Sequence, residues 1–320
     1  MSTTTGSSIL SRRSRRRSPD GSVFECAFLS LERLPEEATG SASYNFKRSR
    51  SVQSYWMPRE IAPDLFWIQE NGTDRSGFVD DSPPPWYDES DTLHIAQNTY
   101  LIDDEQSLLF DTLSPASTDR ILDAIDDLLE NSLDYLVVSH PDVPHAGNTA
   151  RILDAHPEAE LVAPRYGNAH ELYHLDDATH VGAGDRIDLG QRTVEFHEAT
   201  FPDASLHMWM TERTTDTLFP VDWLGYPHHG SEGLAFADEL DAPITPDRLV
   251  VFHGRVMFWY QYVDVETVHD EIDRLIREFS PAMIAPAHGN VIREDPAEYM
   301  EMMKPVVERI ATEGRTGTLG

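Results

Sequence analysis

The sequence predicts an α/β fold, a four-layer αββα sandwich, and three observations carry that reading. Short β-rich runs bounded by polar turns fall into two groups, Leu65 to Asp111 and Thr193 to Val221. Each group is followed by segments whose apolar residues recur at helical spacing. Clusters of His and Asp come directly after apolar strands, where open α/β sheets place their ligand and catalytic groups.

In chain order, strands are expected at Leu65 to Ile68, Gln97 to Ile102 and Ser107 to Asp111, with Asp103 to Gln106 as the turn between the last two. From Ala116 to Leu129 the apolar residues Ile121, Leu122, Ile125, Leu128 and Leu129 keep a helical period. A strand at Tyr135 to Ser139 and a helix from about Gly147 to Ala155 complete the first half. The second half repeats the plan with strands at Thr193 to His197, Leu206 to Thr211 and Thr217 to Val221. A helix at Asp264 to Phe279 turns Val265, Val268, Ile272, Leu275 and Ile276 inward, and a last strand, Ala282 to Ala285, precedes an amphipathic helix at Ala297 to Ile310. The stretch 223–263 is expected as a helical insertion over the site, with Trp259, Tyr260 and Tyr262 as core or dimer contacts. Residues 57–320 then form one domain, long enough to bury a substantial core.

The segment richest in chemistry is Ser139-His140-Pro141-Asp142-Val143-Pro144-His145-Ala146-Gly147-Asn148, which follows the apolar run Tyr135 to Val138. Two more strand ends carry donors: Phe219-Pro220-Val221-Asp222 and Ala285-Pro286-Ala287-His288-Gly289. Imidazole and carboxylate donors without thiolate suit iron, manganese or zinc. Asp142 has a second reading, because an Asp after a strand also caps the next helix.

These segments, with Thr200-Phe201-Pro202-Asp203-Ala204-Ser205 between them, resemble the metallo-β-lactamase superfamily from about Ile61 to Ile292. The closest resemblance is to its flavodiiron branch, in which the second His of the first motif is a carboxylate. The resemblance implies that His140, Asp142, His145, Asp222 and His288 are metal ligands, with Asp222 bridging two ions. It implies that Asp111 supports the metal loop from behind. Two positions depart from the pattern: Pro144 stands where the family has an Asp, and Thr200 where it has a His. Each ion therefore loses one protein ligand, although three ligands still make a workable open site. Asp203, His197 and His207 are close enough in sequence to the Thr200 turn to substitute. By the same resemblance the cofactor is a pair of iron ions, with zinc or manganese as the other candidates. No flavin domain is expected in this chain, so an external electron donor or the flavin of a partner subunit is implied, and a homodimer fits.

Other histidines read as ordinary side chains: His94, His156, His170, His174 and His180. His228, His229 and His253 either line a substrate mouth or are plain loop residues.

The chain has 56 acidic and 25 basic residues, a formal charge of −31, and its only lysines are Lys47 and Lys304. Such charge repels itself in dilute buffer and is screened in concentrated salt, the composition of a halophile-type protein. Nucleic acid is an unsuitable partner, since phosphates need clustered Lys and Arg. Residues 1–56 differ, with a basic run at Arg12 to Arg17 and few apolar side chains, and are expected to be a disordered extension. A twin-arginine export signal lacks its apolar segment there, and Met57 is an alternative start. The single cysteine, Cys26, permits no intramolecular disulfide, and no apolar run is long enough to span a bilayer. A cytoplasmic protein is expected.

Three functional classes follow. The first is an iron site that binds, reduces or senses dioxygen or nitric oxide, and it stands first. The second is a metal-dependent hydrolase of an ester, thioester or phosphoester. The third is a metal-poor protein that retains the fold for binding a small molecule.

Overall fold

Alternation along the strands decides how the layers stack. In this computed structural model, which describes residues 57–71, 93–165, 178–203, 207–229 and 232–314, the first sheet has seven strands in the order β1-β2-β4-β5-β6-β7-β8. They are β1 (Arg59–Ala62), β2 (Leu65–Asn71), β4 (Ala96–Ile102), β5 (Leu108–Phe110), β6 (Tyr135–Val137), β7 (Glu160–Pro164) and β8 (Thr179–Val181). Tyr100 and Ile102 of β4, Leu108 and Phe110 of β5 and Val137 of β6 share a core with Phe196, Met210 and Phe219 of the second sheet. The residues between them, Leu101, Leu109 and Leu136, pack the opposite way, with Ile121, Ile125 and Ile152. Those three belong to α1 (Thr118–Leu128) and α3 (Thr149–Ala155), which cover that outer face.

The second sheet runs β14-β12-β11-β10-β9, built from β9 (Arg186–Asp188), β10 (Thr193–Glu198), β11 (Met208–Glu212), β12 (Thr217–Phe219) and β14 (Met283–Ile284). Helix α5 (Val265–Phe279) buries Val268, Ile272 and Leu275, and its Phe279 ring meets His197 and Trp209 at 5.0 and 6.2 Å. The Asp264 carboxylate caps its start by accepting the Thr267 N–H. Two sheets face to face with helices on both outer faces make the expected αββα sandwich.

Several expectations are corrected. The helix expected at Ala297 to Ile310 is two, α6 (Pro296–Glu301) and α7 (Met303–Glu313). Pro305 explains the break: it has no N–H for the Glu301 carbonyl and its ring crowds that carbonyl. Tyr299, Met300, Met303, Val306 and Val307 stay buried across the bend, so the apolar period runs through it unmarked. Among the described residues, the 223–263 insertion has its α-helix in the second half, α4 (Pro246–Val256), followed by a 3-10 turn at Phe258–Tyr262 and preceded by a shorter one at Ala237–Glu239. Its first half holds β13 (His228–His229), which pairs with β3 (Leu93–His94). The loop helix begins earlier than Gly147, with α2 (Val143–Ala146) before α3. Residues 1–56, with Cys26, and the histidines at 170 and 174 lie outside the described residues. Among the described residues, no helix is long and apolar enough to cross a membrane.

Candidate metal centre

Strand direction brings the donors to one end of the sandwich. Strands β5 and β6 are parallel, so Asp111 and the His140 loop emerge together. In the second sheet β10 and β12 are both antiparallel to β11, and β14 is parallel to β12. The end of β10, the start of β11 and the ends of β12 and β14 therefore deliver Asp203, His207, Asp222 and His288 to the same edge. A backbone bond ties the two halves there, the Met208 N–H donating to the Ser139 carbonyl at 3.2 Å. Val221 has φ +56, an outlier for a β-branched residue, and this kink immediately precedes Asp222.

Four histidines share one arrangement, in which Nδ1 is tied down and Nε2 faces the centre. His145 Nδ1 lies 2.7 Å from Asp111 Oδ2 and His207 Nδ1 2.7 Å from Asp203 Oδ1. His288 Nδ1 donates to the Ala96 carbonyl at 2.6 Å, and His140 Nδ1 meets Ser139 Oγ at 3.1 Å. Ser139 Oγ in turn donates to Asp111 Oδ2 at 3.0 Å. Partners of this kind fix the ring and tautomer of metal-bound histidines.

The Nε2 atoms converge on Asp222. Its Oδ2 lies 3.6 Å from both His140 and His145 Nε2 and 3.9 Å from His207 Nε2, while its Oδ1 lies 3.0 Å from His288 Nε2. Ligand atoms about 2.1 Å from one ion sit roughly 3.0 to 3.5 Å from each other, so this spacing fits ions between them. Two groups share the carboxylate: His140, Asp203, His207 and Asp222 in one, and His145, Asp222 and His288 in the other. Among the described residues, His140 Nε2, His207 Nε2 and Asp222 Oδ2 are buried without a hydrogen-bond partner. A buried polar atom left unpaired is costly, and a cation at this point would pair all three.

The electrostatics follow. Burial pushes the His140 imidazole well below its ordinary pKa, and the neighbouring His145 and His207 lower it further. Burial also opposes a charge on His145, but the carboxylates of Asp111 and Asp222 outweigh it and hold that pKa well above the usual range. Asp222 is buried too, yet the surrounding imidazoles, His145 foremost, keep its carboxyl well below the usual carboxylate range. Asp222 thus keeps its negative charge at the middle of the imidazoles.

The predicted residues fare differently. His140, His145, Asp222 and His288 are together and buried. Asp142 stands at the rim, its side chain 59% exposed and its Oδ2 3.8 Å from His140 Nε2. It occupies the cap position of α2 but makes no capping hydrogen bond. Pro144 sits in the first turn of α2, where proline fits a helix. Thr200 lines a separate cleft against α5, with Glu271 and Phe279. Of the three candidate substitutes, His207 and Asp203 reach the centre, whereas His197 Nε2 bonds Thr211 Oγ1 at 2.8 Å on the α5 side. The ordinary readings hold for His156, which bonds Ser132 and Leu133, and for His180, which meets the Pro164 carbonyl.

A cavity of about 260 Å³ opens onto the centre, bounded by Gln97, Asp142, His145, Asp203, Asp222 and His288 on the polar side and by Pro144 at the loop. Ile95, Phe252 and Val256 form its apolar wall, and the Phe252 ring lies 5.1 Å from that of His288.

Strand-end donors on an αββα sandwich agree with the comparison by sequence, in which residues 94–292 match the Metallo-beta-lactamase superfamily. This chain belongs to the metallo-β-lactamase superfamily. Within reach of it is a nitric oxide reductase of Moorella thermoacetica, 28% identical over 255 residues, which cover 76% of this chain and 60% of the relative. A rubredoxin-oxygen oxidoreductase of Megalodesulfovibrio gigas is 26% identical over 204 residues, 61% of this chain and 49% of the relative. The chain thus spans about half to three-fifths of those relatives. Among solved structures, a metal-soaked flavodiiron core from Synechocystis sp. superposes with TM-score 0.63 at 20% identity, over 80% of this chain and 62% of that one. A 1–254 fragment of a diflavin flavoprotein from Nostoc sp. gives TM-score 0.63 at 14% identity, over 80% of this chain and 97% of that one. At these identities the structural likeness shows the superfamily fold.

Proposed function

We propose that this protein holds two metal ions bridged by Asp222, iron first, and that it binds or reduces dioxygen or nitric oxide there with electrons from an external donor. The observation that carries the reading is the set of four buried histidines, each held through Nδ1 and turned by Nε2 toward one carboxylate. Bound iron would supply a redox-active Lewis acid able to take a small gas as ligand. The chain's own residues do the rest. Asp111 orients His145, the Ala96 carbonyl orients His288, and Ile95, Phe252 and Val256 give the cavity an apolar wall suited to a small neutral molecule. The gas class is taken from the relatives, one named a nitric oxide reductase and another a rubredoxin-oxygen oxidoreductase. Pro144 argues against the hydrolase alternative, because it stands where the family's nucleophile-orienting Asp is expected. A homodimer and a cytoplasmic location belong to the same proposal.

The test is elemental analysis of protein purified anaerobically in concentrated salt, with a His145→Ala/His288→Ala variant alongside, then gas consumption with a reduced dye as donor. About two iron atoms per chain are expected, with nitric oxide or dioxygen uptake that the variant loses. Zinc, together with esterase activity that disappears in Asp222→Ala, would replace this reading with the hydrolase. Absence of metal from both samples would leave only the binding protein.

A further inference from the structure

We infer that His207 supplies the ligand missing at Thr200, so that the two ions are held unequally: one enclosed by His140, His207 and Asp222, the other held by His145, Asp222 and His288 and open to the cavity. The inference rests on the two-metal reading and deepens it.

Three observations place His207 in that role. Its side chain is fully buried, and among the described residues Nε2 has no hydrogen-bond partner, although it lies 3.9 Å from Asp222 Oδ2. Its ring stacks on that of His140, with centroids 4.6 Å apart and planes 14° apart, so both Nε2 atoms face the same carboxylate. Asp203 holds Nδ1 at 2.7 Å through one oxygen, and its other oxygen lies 3.7 Å from His140 Nε2. Asp203 is therefore a positioning residue that also adds negative charge beside the enclosed ion. Thr200 has no part in this, since it faces the α5 cleft. The replacement works because the Met208 N–H bond to Ser139 pins the first residues of β11 against the His140 loop.

The asymmetry follows from what the cavity touches. His145, Asp222 and His288 all line it, whereas on the other side only the shared Asp222 and the positioning Asp203 do, and His140 and His207 are not among its lining residues. Pro144, which also lines it, offers no side-chain donor, so an ion held by His145 and His288 would be left short of a protein ligand on the cavity side. An exogenous anion such as azide would be accommodated there, beside Phe252 and Val256 of the cavity wall.

Cobalt(II) titration of the metal-free protein separates the outcomes, with visible absorption reporting each ion and azide as the exogenous probe. Two equivalents are expected for the wild type, with a spectral change on adding azide. His207→Ala and His207→Gln should each hold one equivalent fewer and keep the azide response. Pro144→Asp should hold both equivalents and lose at least tenfold in azide affinity, because the new carboxylate takes the open position. If the wild type takes up cobalt and both His207 variants still bind two equivalents, the relocation is wrong while the two-metal reading stands. An undiminished azide response in Pro144→Asp would overturn the open-position assignment even if the His207 variants failed to fold. A wild type that binds no cobalt would overturn both readings.

Discussion

His253 is a histidine whose role is opposite to that of the four at the centre. It is buried, with Nδ1 2.8 Å from the Leu249 carbonyl and Nε2 accepting the Leu224 N–H at 3.2 Å. Both ring nitrogens are spent on backbone, so it anchors α4 to the turn after Asp222 and has nothing left for a ligand. Burial lowers its pKa from 6.5 to about 4, against a partly opposing hydrogen bond to Leu249. The folded state thus binds this proton less readily than the unfolded chain does. Stability from the neutral ring is fully present above pH 6.5 and is lost as pH falls from there toward 4, by roughly 3 kcal/mol in total. Replacing His253 by Leu should flatten the pH dependence of unfolding free energy between pH 6.5 and 4, measured by denaturant titration. A variant as steep as the wild type would refute this origin.

The segment after β14 sets the position of His288 and is itself held by several buried hydrogen bonds. Asn98 Nδ2 donates to the Pro286 and Gly289 carbonyls at 2.7 and 2.9 Å, and the Tyr100 hydroxyl donates to Pro286 O at 2.7 Å. Gly289 has φ +98, and a Cβ there would stand 2.6 Å from Cε1 of Tyr226. Both the backbone and the space demand glycine. Gly289→Ala should cost about 1 to 3 kcal/mol and reduce metal uptake by moving His288, as thermal unfolding and elemental analysis would show. Unchanged stability would mean that Tyr226 yields freely. The ring instead has its hydroxyl 2.5 Å from Asn290 Oδ1, and Asn290 Nδ2 donates to the Glu232 and Ala235 carbonyls at 2.7 Å.

Over the whole molecule the governing quantity is the charge of −31. Repulsion among like charges destabilises the compact state, and the screening length falls from about 10 Å at 0.1 M salt to about 3 Å at 1 M. Local pairs such as Arg59–Glu239 and Arg293–Asp238 are partly exposed and lose little when screened. The unfolding midpoint should therefore rise by roughly 5 °C or more between 0.1 and 2 M potassium chloride, read by circular dichroism. A midpoint that falls with salt would show that attractive pairs outweigh the net repulsion.

Local periodicity was enough to read the layers. Alternation in β4 and β5 and the spacing of Val268, Ile272 and Leu275 reflect which face each side chain takes, a property of a few consecutive residues. The strand ends carrying His140, His145, Asp222 and His288 were legible for the same reason, since each motif is contiguous. His207 was only one of three candidates, because it lies seven positions beyond Thr200 in the sequence and its place is set by the register of β10 on β11. Which of Thr200, His197 and His207 reaches Asp222 depends on which face of the second sheet each takes and on how that sheet meets the His140 loop. Pairing between distant segments settles that question, and the chemistry of any one stretch carries no record of it.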